Sequence, residues 1–423
     1  MSRLDLIIFG ATGYTGKNAV KEMCRISKNY SSMGLTWGVA GRSEAKLDEV
    51  LKEVSKKTDE DLSSIRKVIA DVRDEKSLKD MCLQCKVIVN CCGPYRHYGE
   101  PVVRAAIEAK SHYVDVSGEP EFMEKMQLLY DEQARDAGVY VISACGFDSI
   151  PNDLGVIFLQ QNFGGTVNSV ESFLTLTGPE NVSGETMNYG TWETLVYSMA
   201  HYNDLKQLRK KLYPDPLPAF KPKLKSRRVL QAHGPQYTLP FPGSDASVVY
   251  RTQRRLYERE RARPAQFKAY VTVPSLCTGL LTLLYAALVY AMSWLSWTRS
   301  LLLRQPALFS GGIVSRAAPR EAAVADTRFQ LELRAAGWPP ASDHDCPPSK
   351  NATVKVSGSN PGYGATVIAL LFSAIMILRE QDKMPPTGVL TTGYAFRNTT
   401  IIKYLNENNI KFEVVTSENE PES

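Results

Sequence analysis

The chain has 423 residues, 43% of them hydrophobic and 22% charged, and its 50 basic and 45 acidic residues leave a net charge of +5. This length allows two or three domains with buried cores, and the composition excludes a disulfide-stapled miniprotein and a disordered chain. So small a charge excess does not favour a nucleic-acid surface, and we expect no nucleic-acid partner.

The eight cysteines have no regular spacing, and the N-terminus begins directly with an apolar strand. Both features predict an intracellular protein with reduced thiols that is not secreted. Cys82 and Cys85 have the spacing of zinc ligands. Because a tetrahedral zinc site needs two more ligands at matching spacing, we predict no metal site.

Residues 1–150 alternate short apolar runs with helix-periodic polar stretches, which predicts strand–helix–strand units. Because the runs are apolar throughout, we expect a doubly wound parallel sheet with helices on both faces. The predicted strands are 6–9, 36–40, 68–70, 86–90, 113–116 and 140–143, and the predicted helices lie near 14–28, 44–57, 76–84, 98–110 and 121–137.

Residues 151–360 have a different pattern, in which apolar and polar residues alternate along the candidate strands 170–176, 267–273, 329–333 and 354–356. Such alternation is typical of a sheet covered on one face. We predict a second α/β domain with a mixed or antiparallel sheet, which serves substrate binding or dimerisation. Residues 361–423 begin with an apolar helix at 364–378, and we interpret them as a return of the chain to the first domain.

The strongest functional pattern directly follows the first strand. In Gly10-Ala-Thr-Gly13-Tyr-Thr-Gly16 the glycines allow a tight turn, close approach of a pyrophosphate to the backbone, and close packing of helix on strand. The helix N-terminus supplies amides and a partial positive charge for the pyrophosphate. The pattern predicts a Rossmann dinucleotide site that includes Gly10, Thr12, Gly13, Tyr14, Thr15 and Gly16.

The end of the second strand indicates which dinucleotide is bound. Sites for NAD place an acid there, whereas this chain has Arg42 and Ser43, with Lys46 one turn into the helix. A guanidinium and a hydroxyl suit a 2′-phosphate, so we predict NADP(H). Glu44 is the nearby acid that argues for NAD instead.

Two further strand ends complete the predicted cofactor site. Asp71 and Val72 are placed to contact the adenine, and the segment after the fourth strand lies along the nicotinamide side of the crevice. We expect Cys91 to line this crevice rather than react, because the sequence shows no group that would stabilise a thiolate. The predicted contacts in that segment are Asn90, Cys91, Gly93 and Pro94.

These motifs carry a family resemblance. In order and spacing, the segments 10–16, 40–42, 90–95, 113–120 and 146–151 resemble those of the saccharopine dehydrogenase-like oxidoreductases, and segments near 190–192, 240–245 and 388–396 extend the resemblance. It implies an N-terminal Rossmann domain, a second α/β domain inserted before a C-terminal return, and a pyridine-nucleotide redox role. A bacterial branch resembles trans-acting enoyl reductases of lipid and glycolipid assembly.

The acid–base group is the least defined part of the site. Tyr95, Asp148 and Thr191 are our candidates for catalytic residues, because each follows a strand or opens a helix that borders the crevice. Asp148 and Thr191 fit helix capping equally well. The pair Tyr202 and Lys206 has the spacing used by short-chain dehydrogenases, and chance explains it.

An apolar segment at 275–303 interrupts the second domain. Thirty residues between Lys268 and Arg299 lack a charge, which exceeds the roughly 20 residues that read as membrane-inserting. Trp294 and Trp297 resemble an interfacial aromatic belt. The segment lies between strands assigned to one sheet, so we expect a monotopic insertion rather than a crossing; a buried core helix is the alternative. The basic residues expected at lipid headgroups are Arg251, Arg254, Arg255, Arg259, Arg261, Arg263 and Lys268.

The sequence as a whole favours an NADP(H)-dependent oxidoreductase that acts on a hydrophobic, lipid-related carbonyl or enoyl substrate. We expect it on the cytoplasmic face of a lipid-droplet or endoplasmic-reticulum surface, with a homodimer possible. The alternative is a non-catalytic NADP(H)-binding scaffold that the apolar segment recruits to lipid, since a fold does not by itself define an activity.

Overall fold

The computed structural model describes residues 2–147, 149–178, 187–316 and 324–415. Its strands form two seven-stranded sheets. In chain order the strands are β1 (Leu4–Phe9), β2 (Trp37–Gly41), β3 (Arg66–Ile69), β4 (Cys85–Asn90), β5 (His112–Asp115), β6 (Tyr140–Ile142), β7 (Thr166–Thr177), β8 (Gln231–His233), β9 (Gln236–Pro240), β10 (Gln266–Val273), β11 (Arg328–Trp338), β12 (Lys350–Ser359), β13 (Gly388–Leu390) and β14 (Ile410–Val415).

Helices cover both sheets and form a separate group beside the second one. In chain order they are α1 (Tyr14–Asn29), α2 (Glu44–Thr58), α3 (Glu75–Cys82), α4 (Tyr95–Glu108), α5 (Pro120–Asp136), α6 (Ile150–Asn162), α7 (Tyr189–Ala200), α8 (Tyr202–Leu212), α9 (Asp245–Glu260), α10 (Leu276–Trp294), α11 (Ser296–Arg304), α12 (Pro306–Phe309), α13 (Thr366–Arg379), α14 (Thr392–Phe396) and α15 (Ile401–Glu407).

The first sheet is parallel throughout, with the order β3-β2-β1-β4-β5-β6-β13. All six predicted strands and all five predicted helices of this region are present. Leu6 and Ile8 of β1 point into the core beneath α1 and α13, whereas Ile7 and Phe9 point toward α3, α4 and α5. Burial on both faces explains why these strands are apolar throughout and confirms a doubly wound Rossmann sheet.

The second sheet is mixed, with the order β14-β12-β11-β7-β10-β9-β8. β7 and β10 are parallel, and the other pairs are antiparallel. One face packs on α6 and α9, and its apolar residues join the core of the first sheet in one continuous cluster. The alternating strands are confirmed as β7, β10, β11 and β12.

The C-terminal segment divides between the two sheets. α13 packs on β4 and β5, and β13 joins the edge of the first sheet. β14 instead pairs with β12 in the second sheet, so the prediction that the whole segment returns to the first domain is wrong at this strand. The physical reason is that β12 would otherwise be an unpaired edge strand, and β14 supplies its hydrogen bonds. The sequence of a short strand does not show which sheet edge it will join.

Within the described residues, two helices are long and apolar enough to cross a membrane, Leu276–Trp294 and Pro361–Arg379. The second comprises a short π-helical turn and α13, and it is mostly buried as a core helix. α10 is the reverse case, with 17% of its apolar stretch buried. Its protected positions follow one stripe through Gly279, Val289 and Ser293, and the rest of its apolar surface is exposed.

α10, α11 and α12 form a hairpin that leaves the second sheet and returns to it. β10 and β11, the strands on either side, both pair with β7, as the sequence predicted. The Tyr285 hydroxyl donates to the Phe309 carbonyl oxygen at 2.5 Å and thereby ties α10 to α12. We call this unit, residues 275–309, the apolar hairpin.

Candidate cofactor and active site

The glycine-rich loop between β1 and α1 has the close packing that its sequence predicts. Gly10 has a φ of +80°, and a Cβ there would lie 2.6 Å from Cys92 Sγ. A Cβ on Gly16 would lie 2.1 Å from the Gly10 carbonyl oxygen, so α1 approaches the strand end too closely for any side chain. Both glycines are therefore required by the backbone.

The N-terminus of α1 is open to the crevice. Gly13 is exposed and extended, caps the helix without a side chain, and no acidic residue follows in the first turn. Thr12, Tyr14 and Thr15 are half-buried around it. The first amides of a helix have no partner within it and carry partial positive charge, so this end suits a pyrophosphate.

At the end of β2, two cations remain available for a phosphate. Arg42 and Lys46 are exposed, and neither has an ion pair within the described ranges. Ser43 accepts from the Lys46 amide at 3.4 Å and so caps α2 as well as bordering the site. Glu44, the acid that argued for NAD, lies 3.3 Å from Lys67 Nζ. The charges that remain favour a 2′-phosphate.

The end of β3 lies beside this cation pair. Asp71 accepts from the Arg73 amide at 3.0 Å and fixes the turn, with Val72 half-buried next to it. Arg42 lowers and Asp71 raises the pKa of Cys92, although burial is the larger effect and raises that pKa to about 12. Residues from β2, β3 and β4 thus meet at one edge, where the adenosine half of a dinucleotide is expected.

The end of β4 is held by buried hydrogen bonds. Asn90 Nδ2 donates to the Tyr113 hydroxyl at 3.0 Å, and Asn90 Oδ1 accepts from the Cys92 amide at 3.0 Å. Burial raises the pKa of the Cys91 thiol well above its usual range, so Cys91 is not a thiolate nucleophile. Gly93 and Pro94, joined by a cis peptide, lead from here into α4.

A buried carboxylate fixes the three neighbouring strand ends. Asp115 accepts from the Ser117 and Ala144 amides at 2.9 and 3.0 Å, and from the Tyr113 and Ser143 hydroxyls at 2.8 and 2.9 Å. Burial raises its pKa from 3.8 to about 6, against these four hydrogen bonds. Asp115 therefore holds the floor of the crevice in position.

The three catalytic candidates have different surroundings. The Tyr95 hydroxyl is buried, donates to the Asn90 carbonyl at 2.9 Å and accepts from the Val116 amide at 3.4 Å. Burial raises its pKa, so this placement favours a supporting role rather than proton transfer. Thr191 is exposed in the first turn of α7. Asp148 lies outside the described residues.

α7 borders the crevice through contacts that the sequence did not indicate. The Asn188 amide donates to the Tyr363 hydroxyl at 2.9 Å, and the Tyr363 ring meets the Tyr14 ring edge-on at 4.4 Å. Thr194 Oγ1 donates to Glu119 Oε1 at 3.3 Å. The glycines on either side of Tyr363 were the one sequence signal that could have identified this contact.

Glu119 connects α7 to the start of α4. Its carboxylate accepts from the Tyr95 and Arg96 amides at 2.9 and 3.0 Å, which caps α4. Glu193 on α7 is half-buried, and burial, followed by the charge of Glu119, raises its pKa. A carboxyl group with a raised pKa beside the crevice is suited to proton donation.

A parallel sheet, an open helix N-terminus behind three glycines, and two exposed cations near the end of β2 that have no ion pair among the described residues together define a dinucleotide-binding protein of the Rossmann class. The model for the saccharopine dehydrogenase NADP binding domain matches residues 6–142. The first domain is thus an NADP(H)-binding domain.

Similar proteins define the family. A human saccharopine dehydrogenase-like oxidoreductase is 39% identical over 97% of this chain and 97% of its own length. A Caenorhabditis elegans lipid droplet localized protein is 37% identical over 98% of this chain and 99% of its own. The chain belongs to the saccharopine dehydrogenase-like oxidoreductase family.

A solved structure confirms the fold over the same length. The apo saccharopine dehydrogenase (L-Glu forming) of Saccharomyces cerevisiae aligns with a TM-score of 0.55 over 98% of this chain and 100% of its own, at 13% sequence identity. Identity this low supports a shared fold and leaves the substrate to be argued from the site itself.

Proposed function

We propose that this protein is an NADP(H)-dependent oxidoreductase that acts on a hydrophobic, lipid-related carbonyl or enoyl substrate at a lipid surface. The observation that carries the proposal is the position of α7, which contacts both the cofactor crevice and the apolar hairpin. Bound NADP(H) supplies the hydride chemistry. The chain binds and orients the reactants, excludes water and holds a proton at a side chain.

The crevice side of α7 is fixed to the cofactor loop. Its N-cap, Asn188, contacts Tyr363, which packs on Tyr14 at the first position of α1. Its second turn contacts Glu119 through Thr194. A substrate bound against α7 would therefore lie next to the N-terminus that holds the pyrophosphate.

The opposite side of α7 belongs to a small apolar core of its own. Trp192 Nε1 donates to the Leu302 carbonyl oxygen at 3.1 Å. The buried members of this core come from α7, α10, α11 and the segment after α12, and they are Trp192, Val196, Val289, Leu302 and Val314. A hydrophobic substrate that enters along the hairpin would reach the crevice without crossing bulk water, which supports a lipid-related substrate.

The hairpin surface supports attachment to lipid. Leu281, Leu284 and Trp297 are 67%, 70% and 68% exposed. Exposure of this apolar surface to water is unfavourable in free energy, and lipid that covers the three side chains removes this cost. Because β10 and β11 share one sheet, a single crossing would separate strands that pair with β7, and a monotopic insertion avoids this. We assign the protein to the cytoplasmic face of a lipid droplet or the endoplasmic reticulum, in keeping with the name of the nematode relative.

Glu193 is our candidate for the proton donor, with Thr191, two residues earlier in α7, as a group that positions the substrate. Glu193 is half-buried, and burial, followed by the charge of Glu119, raises its pKa, which favours proton donation relative to an exposed carboxyl group. In Glu193→Gln we expect kcat to fall at least tenfold with unchanged NADPH affinity. The basic limb of the kcat profile, where a proton donor loses its proton, should change as well, and an unchanged profile would remove Glu193 from the mechanism.

Turnover of the cofactor tests the oxidoreductase assignment. Full-length protein in phospholipid vesicles is mixed with NADPH and a cellular lipid extract, then with long-chain 2-enoyl thioesters and long-chain ketones. The expected result is NADPH oxidation that Arg42→Ala reduces. The loss of NADPH absorbance in a sample with protein and vesicles but without extract or added substrate serves as the blank.

The competing function is a non-catalytic NADP(H)-binding scaffold at the lipid surface. The observation in its favour is that the hydroxyl of Tyr95 and the carboxylate of Asp115 are fully engaged by the surrounding backbone and side chains. Tight NADPH binding without turnover of any of these substrates would support the scaffold and contradict the enzyme.

Lipid attachment has its own test. The double variant Leu281→Asp and Leu284→Asp should no longer float with vesicles on a density gradient, because two charges cannot be buried in lipid. Leu129→Asp, which charges an exposed leucine on α5, is the matched control and should float as the wild type does. Flotation of the double variant would refute attachment through α10.

A further inference from the structure

Three of the basic residues expected to meet lipid headgroups, Arg251, Arg254 and Arg255, have partners within the protein instead. Arg251 and Arg254 are buried in α9, where Arg251 donates to Gln127 Oε1 and Arg254 to Glu258 Oε1, each at 2.7 Å. Arg255 contacts Asp131 at 3.1 Å. Arg251 and Arg255 thus join α9 to α5 of the first domain, whereas Arg254 is paired within α9, and none of the three is available to a membrane.

A different group of cations follows β10 toward α10. Residues 221–228, which we call the basic loop, read Lys-Pro-Lys-Leu-Lys-Ser-Arg-Arg. The exposed cations of this loop have no ion pair within the described parts of the chain, and they are Lys221, Lys223, Lys225 and Arg228. Four uncompensated charges in eight residues are unusual for a surface that only faces water.

Hydrogen bonds hold the basic loop along β10, the strand that leads into α10. The Pro222 carbonyl accepts from Gln266 Nε2 at 2.9 Å, and the Leu224 amide donates to Gln266 Oε1 at 2.7 Å. Further along the strand, Lys268 Nζ donates to Ser226 Oγ at 2.6 Å. The loop is therefore fixed in place along the strand.

Arg227 anchors the loop and is itself neutralised. It donates to both carboxylate oxygens of Glu171, at 2.9 and 2.8 Å, and its guanidinium lies 5.0 Å from the centre of the Phe173 ring. Because Glu171 is paired with Arg227, its negative charge does not neutralise the exposed lysines of the loop. A cavity of about 320 Å³ lies beside this pair, and Lys225 and Ser226 line it.

The loop ends against the first turns of α10. A Cβ on Gly279 would lie 2.6 Å from Leu230 Cδ1, so the segment after the loop packs directly on the helix. Val229, between the loop and this contact, is exposed. The positive loop, an exposed apolar residue and the exposed apolar face of α10 thus follow one another along the surface.

We propose that the basic loop binds the phosphates of anionic phospholipid headgroups while α10 is inserted, so that attachment is selective for anionic lipid surfaces. The proposal rests on the lipid attachment of α10 argued above and adds the headgroup chemistry to it. Each exposed lysine or arginine close to an anionic surface contributes about fivefold to the partition coefficient.

Co-flotation of the full chain with two kinds of vesicle tests this proposal. Vesicles contain phosphatidylcholine alone or a mixture with phosphatidylserine. The wild type should bind the mixed vesicles more tightly, and added salt should reduce the difference. The triple variant Lys223→Gln, Lys225→Gln and Arg228→Gln should lose roughly a hundredfold of this preference and keep its binding to phosphatidylcholine. A second triple variant, Lys52→Gln, Lys56→Gln and Lys76→Gln, removes the same charge from the first domain and should bind like the wild type.

The outcomes separate the two proposals. Equal binding of the wild type to both vesicles, or a preference that survives in the first triple variant, overturns the headgroup site and leaves lipid attachment intact. Absence of flotation with either vesicle overturns both. Inorganic phosphate is added without vesicles as a last arm: stabilisation of the wild type that the first triple variant lacks would assign the loop to a soluble phosphate and overturn the headgroup proposal.

Discussion

Replacing Arg42 by alanine tests the 2′-phosphate site. Arg42 is exposed at the end of β2 and has no ion pair in the described part of the chain. The nearby carboxylate of Glu44 is paired with Lys67 instead. A charge-assisted hydrogen bond contributes about 1.5–3 kcal/mol. Its loss should weaken NADPH binding roughly 10- to 150-fold, and solvent screening at this exposed position favours the lower value.

The assay is a titration of NADPH and NADH followed by nicotinamide fluorescence. NADH lacks the 2′-phosphate, so its affinity should be nearly the same in wild type and Arg42→Ala. Lys56→Ala removes one exposed charge near the far end of the same helix and serves as the control, with both affinities unchanged.

Two results would refute this reasoning. If Arg42→Ala weakens NADPH and NADH equally, Arg42 supports the fold of the site and does not read the phosphate. If it changes neither affinity, the 2′-phosphate is bound elsewhere. A wild type that binds neither nucleotide would contradict the oxidoreductase itself.

Three other predictions concern the loop and the floor of the crevice. Gly16→Ala should abolish NADPH binding and lower the unfolding free energy by about 1–3 kcal/mol, because its Cβ would overlap the Gly10 carbonyl; normal titration and denaturation curves would contradict the loop geometry. Tyr95→Phe should cost about 1 kcal/mol of stability and keep turnover within tenfold; a collapse of kcat at unchanged NADPH affinity would make Tyr95 catalytic. Folding raises the pKa of Asp115 to about 6, so the stability from its bound proton is complete below the unfolded value of 3.8 and is lost as the pH rises to about 6. Relative to Asp115→Asn, the wild type should lose roughly 1–3 kcal/mol of unfolding free energy between these pH values, as measured by urea denaturation. If the unfolding free energies of the two proteins change with pH in parallel, the raised pKa of Asp115 is refuted.

The first domain could be predicted because its signals are local. Strand, turn and helix follow one another within about 30 residues of the glycine loop, and Gly16 is required by a contact close in sequence, with the Gly10 carbonyl oxygen. The choice of NADP(H) likewise depended on Arg42 and Ser43, which come directly after one strand. Period-two alternation located β7, β10, β11 and β12 for the same reason.

Long-range contacts account for what the sequence did not reveal. Tyr363 reaches Tyr14 across almost the whole chain, and its place in the site depends on the packing of α13. Tyr95 was expected to face the crevice, yet its hydroxyl turns to the Asn90 carbonyl. Arg251 and Arg255 of α9 were expected at a lipid surface and instead contact Gln127 and Asp131 of the first domain, because hydropathy does not show which face of a helix the rest of the fold covers.

The two apolar helices show most directly what the sequence determines and what the tertiary structure decides. By length and composition α10 and the helical stretch Pro361–Arg379, which contains α13, are alike, and each by itself passes for a membrane segment. Only the tertiary structure buries α13 between the sheets and leaves the face of α10 exposed, because the other elements determine how much apolar surface each helix can hide. The sequence by itself determined the cofactor site, where neighbours in the chain make the contacts, whereas packing between distant segments decided which helix is free to meet lipid.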